Sequence, residues 1–124
     1  MQAYFFIGLF GVAGVLCRFG VDRVVGGSTE PFPKSTLLIN IAGSFLAGLF
    51  FALAERREFP SALQLGLLVG FCGGFTTFSA YALQAFVMMD KGRAFPALAY
   101  LFLSPVLGLT AAALPILILR KLFV

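Results

Sequence analysis

Gly70-Phe71-Cys72-Gly73-Gly74-Phe75-Thr76-Thr77-Phe78-Ser79 lies at the centre of the longest uncharged run of the chain, the 31 residues from Phe59 to Met89. Two adjacent glycines followed by two threonines make a poor helix interior, because Gly costs about 1 kcal/mol there and Thr is restricted at χ1. A break near residues 73–77 is therefore expected. Backbone released from a helix at mid-membrane depth cannot face lipid, so it must be buried in protein or line a polar cavity. The end of the first half-helix would then aim carbonyls and a partial negative charge inward, which suits a small hard cation held by oxygens. A plainer reading is that Gly66-x-x-x-Gly70 and Gly73-Gly74 only permit close helix packing. From the residues alone both readings stand.

Working outward, the charges divide the chain into four uncharged stretches: Met1 to Cys17, Ser35 to Ala54, Phe59 to Met89 and Ala94 to Leu119. A bilayer core about 30 Å thick takes roughly 20 apolar residues at about 1.5 Å rise each, so each stretch can cross once, the first by continuing past Arg18. The runs are apolar on all faces and lack the two-residue alternation of an outer-membrane barrel, which favours helices. The expected architecture is an all-α membrane protein: one four-helix domain over 1–124, with spans near 3–25, 34–55, 61–89 and 95–120.

Composition agrees. Hydrophobic residues make up 60% of the 124 and charged residues 11%, against roughly 25% charged in a soluble domain. Nine basic and five acidic residues cannot cover the outside of a water-soluble fold. The basic residues are spread over the connectors and the C-terminus with no basic face, so headgroups rather than nucleic acid are the expected contact. The connectors read as turns: Gly26-Gly27-Ser28-Thr29-Glu30-Pro31-Phe32-Pro33, Glu55-Arg56-Arg57-Glu58-Phe59-Pro60 and Asp90-Lys91-Gly92-Arg93. No Lys or Arg precedes the first run and no small-residue cleavage pattern ends it before Arg18, so it is expected to be retained. There is no His and no paired carboxylate, and no nucleophile stands beside a base, which leaves no enzyme to propose. Cys17 and Cys72 lie inside apolar runs and read as reduced packing groups rather than a disulfide.

If the helices alternate, Arg56, Arg57, Arg120 and Lys121 share one side of the membrane, while Arg18, Arg23, Lys34, Lys91 and Arg93 share the other. The positive-inside rule has almost no bias to act on. Either this is counting noise in a small protein, or the chain inserts both ways and pairs with an inverted copy of itself, supplying the inverted repeat that four helices lack.

Polar groups within the spans are few. Asn40 either ties two helices together or donates to a permeant species. Gln64 opens the third span, Thr110 sits in the fourth, and Tyr100 and Ser104 lie one turn apart on one face of that fourth helix. Pro105 and Pro115 each remove a helical N–H, free a carbonyl and are expected to kink it. Arg18 either snorkels to the interface with Asp22 as its intrahelical partner or stands at the mouth of an anion path. Phe78 and Tyr81 follow the break at i and i+3, so their electropositive ring edges can share one narrow path. No carboxylate or histidine lies inside any run, which is unlike a proton-coupled cation exporter.

These stretches resemble the Fluc (CrcB) family of small fluoride channels over essentially the whole chain. The resemblance is carried by Gly11-Val12-Ala13-Gly14-Val15-Leu16-Cys17-Arg18, by Thr36-Leu37-Leu38-Ile39-Asn40-Ile41-Ala42-Gly43-Ser44 and, most specifically, by Gly70 to Ser79. It implies a dual-topology, antiparallel homodimer in a bacterial plasma (inner) membrane, with two fluoride pores and a structural Na+ at the dimer centre. The backbone carbonyls that hold the Na+ carry over to Gly73 and Thr76, the pore asparagine to Asn40 and the vestibule arginine to Arg18. The pair of pore phenylalanines falls on Phe78 and on position 81, which here is Tyr81. Ala80 replaces a frequent threonine, and the polar track matched at Tyr100 and Ser104 continues only as Gly108 and Ala112.

The implied function is passive export of cytoplasmic fluoride. Fluoride accepts hydrogen bonds and donates none, and stripping its water costs more than the idealised ~20 kcal/mol of a carboxylate-sized ion. The Asn40 amide, the Ser79, Tyr100 and Ser104 hydroxyls and the ring edges of Phe78 and Tyr81 are the expected replacements for that water, each weak enough for the ion to leave. Two other readings are a non-conducting or heteromeric partner subunit, suggested by Tyr81 and the thinned track, and a small-multidrug-resistance-type exporter, whose membrane glutamate is absent.

Overall fold

A computed structural model describes residues 1–26, 31–56 and 59–123. The regular elements among the described residues are all helices: α1 (Gln2–Val25), α2 (Lys34–Glu55), α3 (residues 61–75), α4 (Phe78–Asp90) and α5 (Ala94–Leu122). Helices α3 and α4 together form the third apolar segment, Ser61–Asp90, so four segments of 24, 22, 30 and 29 residues are long and apolar enough to cross a membrane. The parts of the expected turns at 27–30 and 57–58, Arg57 included, lie outside the described residues.

Turn chemistry at the ends is local. At the α4–α5 corner Gly92 takes φ 73°, the Gly92 N–H donates to the Met89 carbonyl and the Arg93 N–H to the Met88 carbonyl. This is the paired closure that a left-handed glycine makes possible. α5 carries its helix through both Pro105 and Pro115.

α3 is the irregular element. One α-turn, Ser61–Leu65, is followed by a π-helical stretch over Gly66–Cys72 and a last α-turn, Gly73–Phe75. The wider π-turn was not foreseen; it falls where glycines offer no β-carbons to crowd it. The chain leaves the helix only at Thr76 (φ −81°, ψ 160°) and Thr77 (φ −148°, ψ 120°), both extended. The two readings of the central segment thus divide along its length. Gly73 and Gly74 remain helical, and the threonines make the break.

Most of the glycines pack. A β-carbon added at Gly70 would stand 2.7 Å from the Ile7 carbonyl oxygen, and one at Gly74 2.6 Å from that of Gly11, while one at Gly14 would overlap the Phe71 carbonyl. α1 and α3 therefore approach backbone to backbone, as small-residue membrane helices do. On the opposite side α2 packs on α5 through Gly48 against the Ala112 carbonyl, and on the break through Gly43 against the Thr76 methyl. Buried Tyr100, Ala85, Met88 and Ala97 close the space between α4 and α5. Outward, α1 shows Phe5, Leu9, Val12, Leu16 and Phe19, an apolar surface that lipid covers and water would not. Both cysteines are free, Cys72 buried and Cys17 exposed.

Backbone walls do not yield as side chains do, so Gly74→Ala lowers the unfolding temperature in detergent by roughly 5 to 10 °C. Gly8→Ala, which meets nothing within 4 Å, does not lower it. Equal midpoints for the two variants contradict the close α1–α3 approach.

Candidate functional site

The break needs hydrogen-bond partners, and α2 supplies them. The Thr77 N–H donates to Asn40 Oδ1 at 2.8 Å, and Asn40 Nδ2 donates to the Thr77 carbonyl at 3.0 Å. One side-chain amide thus pairs with both polar groups of one extended residue, as a neighbouring strand would. The Thr76 N–H and hydroxyl both donate to the Cys72 carbonyl, at 3.0 and 2.8 Å, closing α3. The Thr77 hydroxyl accepts from the Ala80 N–H at 3.2 Å and so caps α4.

These bonds leave other groups without partners. In an unbroken helix the Gly73 carbonyl would accept from the Thr77 N–H and the Thr76 carbonyl from the Ala80 N–H. The first of those donors is taken by Asn40 and the second by the Thr77 hydroxyl. Carbonyls without a helical donor at the end of a helix are ligands suited to a hard cation such as Na+. Gly73 is exposed, and a β-carbon there would meet nothing within 4 Å. Among the described residues no cluster of His, Cys, Asp or Glu competes as a metal site.

Beside the break lies a groove of about 370 Å³ between α2, α4 and α5. Its polar wall is Asn40, Ser44, Thr76, Thr77 and Ser104, and its apolar wall is Phe78, Tyr81, Pro105, Gly108 and Leu109. Among the described residues no charged side chain lines it. The Phe78 and Tyr81 rings stand 5.7 Å apart at 46°. The donors divide into spent and available: the Thr76 hydroxyl is committed to Cys72 and the Tyr81 hydroxyl to the Leu101 carbonyl at 2.6 Å. An asparagine amide carries two N–H donors, and Thr77 uses one. The Ser44 and Ser104 hydroxyls carry no hydrogen bond to any described residue. Available donors therefore face one groove that offers no competing charge.

Of the residues singled out from sequence, Asn40, Phe78, Tyr81, Ser104 and Thr76 meet at this groove. Ser79 does not line it; it is exposed, with its hydroxyl 3.4 Å from that of Thr77. Tyr100 is fully buried behind Tyr81, ring centroids 5.0 Å apart, and its hydroxyl donates to Gln84 Oε1 at 3.1 Å. Gln84 Nε2 in turn donates to the Thr36 hydroxyl at 2.8 Å, so Tyr100 belongs to a bonded core relay and not to the groove wall. Gln64 Nε2 donates to the Phe59 carbonyl just ahead of α3 at 2.9 Å, and the Thr110 hydroxyl donates back to the Val106 carbonyl. Arg18 is half-buried on α1, apart from the groove. Asp22 is not its partner: that carboxylate accepts the Ser35 hydroxyl, pinning α1 to the start of α2.

Ser44 was not foreseen, although Thr36, Asn40 and Ser44 recur every four residues and so share one face of α2. It also explains the thinned track. A β-carbon at Gly108 would stand 3.3 Å from Ser44 Oγ, so the hydroxyl absent from α5 is supplied across the groove by α2.

Comparison with known proteins agrees with this geometry. The family model described as "CrcB-like protein, Camphor Resistance (CrcB)" matches residues 5–116. The chain is 43% identical over 112 residues to Fluoride-specific ion channel FluC 1 of Nitrobacter hamburgensis, covering 90% of this chain and 86% of that one. It is 40% identical over 115 residues to Fluoride-specific ion channel FluC of Thermus thermophilus, covering 92% of each. A third relative, Fluoride-specific ion channel FluC of Renibacterium salmoninarum, is 38% identical over 114 residues, covering 86% of this chain and 90% of its own. These relatives are named as ion channels and not as enzymes. The chain is a multi-pass, all-helical membrane protein that belongs to the CrcB family of fluoride-specific ion channels.

Proposed function

We propose that this protein is a passive, fluoride-selective channel that releases cytoplasmic fluoride across the bacterial plasma (inner) membrane, working as an antiparallel, dual-topology homodimer with a structural Na+ at the dimer interface. The observation that carries the reading is the set of available donors, Asn40 Nδ2–H and the Ser44 and Ser104 hydroxyls, around a groove lined by no carboxylate and no cation among the described residues. A bare acceptor gains bonds there without meeting a charge that would trap it. Fluoride enters the groove as its water is exchanged for these donors and for the ring edges of Phe78 and Tyr81. Chloride forms poorer bonds with the same donors. Asn40 serves twice, holding Thr77 with one N–H and its oxygen and offering the second N–H to the ion.

Arg18 gathers anions at the vestibule. The Gly73 and Thr76 carbonyls would hold the Na+, and their lack of helical donors supports that assignment. Bound there, Na+ would supply a positive charge beside the partial negative charge at the end of α3. The exposed, unobstructed face at Gly73 suits the approach of an inverted second copy, as do balanced basic residues on the two sides.

Fluoride efflux from liposomes holding the purified protein, driven by voltage without a proton gradient and read by a fluoride-selective electrode, is expected to be rapid. Asn40→Asp places a like charge at the groove and removes its donors, and lowers that efflux by two to three orders of magnitude. No efflux from the pure protein favours a partner subunit, and undiminished efflux from Asn40→Asp removes Asn40 from the path. Single cysteines at either terminus, introduced after Cys17 and Cys72 are replaced, are expected to be labelled from both sides of sealed vesicles. Labelling from one side alone contradicts the dual insertion.

A further inference from the structure

Tyr81 and Pro105 both line the groove, from α4 and α5. In a regular helix the N–H of residue 105 donates to the carbonyl of residue 101. Proline has no N–H, so that carbonyl loses its helical donor. The Leu101 carbonyl is the one that receives the Tyr81 hydroxyl, at 2.6 Å. A carbonyl left unpartnered at membrane depth is costly, so the bond is held from both ends: the phenol needs an acceptor and the carbonyl needs a donor. The ring is gripped on its sides as well, by Tyr100 at 5.0 Å and 61° and by Phe78 at 5.7 Å.

We propose that Pro105 is a positioning residue for Tyr81: by withholding the N–H that would close the helix on Leu101, it reserves that carbonyl for the Tyr81 hydroxyl and so fixes the ring beside the ion path. Two consequences follow for the site. The phenolic proton is spent on the protein, so Tyr81 presents its ring edge and not its hydroxyl donor to the ion. Tyrosine at position 81 and proline at position 105 also form one unit, in which the value of the hydroxyl depends on the missing N–H. The inference rests on the channel reading above for its effect on flux, and on the Tyr81–Leu101 bond alone for the coupling.

The test is a double-mutant cycle on the full-length protein in liposomes, comparing the effect of Tyr81→Phe in the unaltered chain with its effect in the Pro105→Ala variant. With Pro105 present, Tyr81→Phe orphans the Leu101 carbonyl and frees the ring, and fluoride efflux falls roughly fivefold or more. In the Pro105→Ala background the helix supplies an N–H to Leu101, and the same change at 81 costs less than about twofold. A second readout needs no flux. In protein labelled with [4-13C]tyrosine, the Tyr81 resonance, assigned by its disappearance in Tyr81→Phe, moves on Pro105→Ala and stays in place on Pro115→Ala. Equal flux losses in both backgrounds overturn the positioning role even if the resonance moves, because the bond is then structural alone. A resonance unmoved by Pro105→Ala overturns the coupling itself. If the unaltered protein passes no fluoride, the channel reading fails, and the resonance still decides whether Pro105 reserves the carbonyl.

Discussion

The pairing of the Asn40 amide with the Thr77 N–H and carbonyl is the interaction on which the rest of the site depends. Lipid offers no hydrogen bonds, so two extended residues in the middle of an apolar segment persist only if something inside the protein replaces the helix ladder. A side-chain amide is the smallest group that carries both a donor and an acceptor in peptide-like geometry. Once Asn40 supplies that replacement, the consequences are geometric. α4 starts afresh at Phe78 under a threonine cap, the Gly73 and Thr76 carbonyls lose their helical donors, and the second amide N–H is left over beside an open groove.

The same accounting separates the hydroxyls near the break. Those of Thr76 and Tyr81 on the groove wall, and of Tyr100 buried behind it, each donate to a protein acceptor. Those of Ser44 and Ser104 have no such commitment, and they stand where α2 and α5 face each other across the groove. Spent donors make the frame rigid, while available ones give the groove its affinity for an acceptor. A path that must bind an ion and also release it needs both kinds.

Much of this was legible in the sequence. The uncharged runs and the bilayer's thickness fix four segments, and the poor helix chemistry of Gly73 to Thr77 marks where the third is interrupted. Periodicity does not say which neighbour a face meets. The glycines and threonines of the central segment looked like one signal and turned out to be two: Gly70 and Gly74 serve the approach of α1, and Thr76 and Thr77 leave the helix. Asp22 lay within reach of Arg18 along one helix, yet Ser35 on the next element claims it. Tyr100 and Ser104 share a helical face, but only Ser104 reaches the groove, because Gln84 on α4 takes the Tyr100 hydroxyl. Ser44 meets Gly108 on α5, and Gln84 bridges Thr36 on α2 and Tyr100 on α5; a single chain read in order does not display such distant pairings.

The most direct measurement is a high-resolution structure of the protein in lipid with sodium fluoride. The expected result is residues 76 and 77 extended and bonded to Asn40, with ion density in the groove within hydrogen-bond distance of Asn40 Nδ2. A continuous helix from Gly73 through Phe78, with the Asn40 amide turned away and the groove closed, contradicts it.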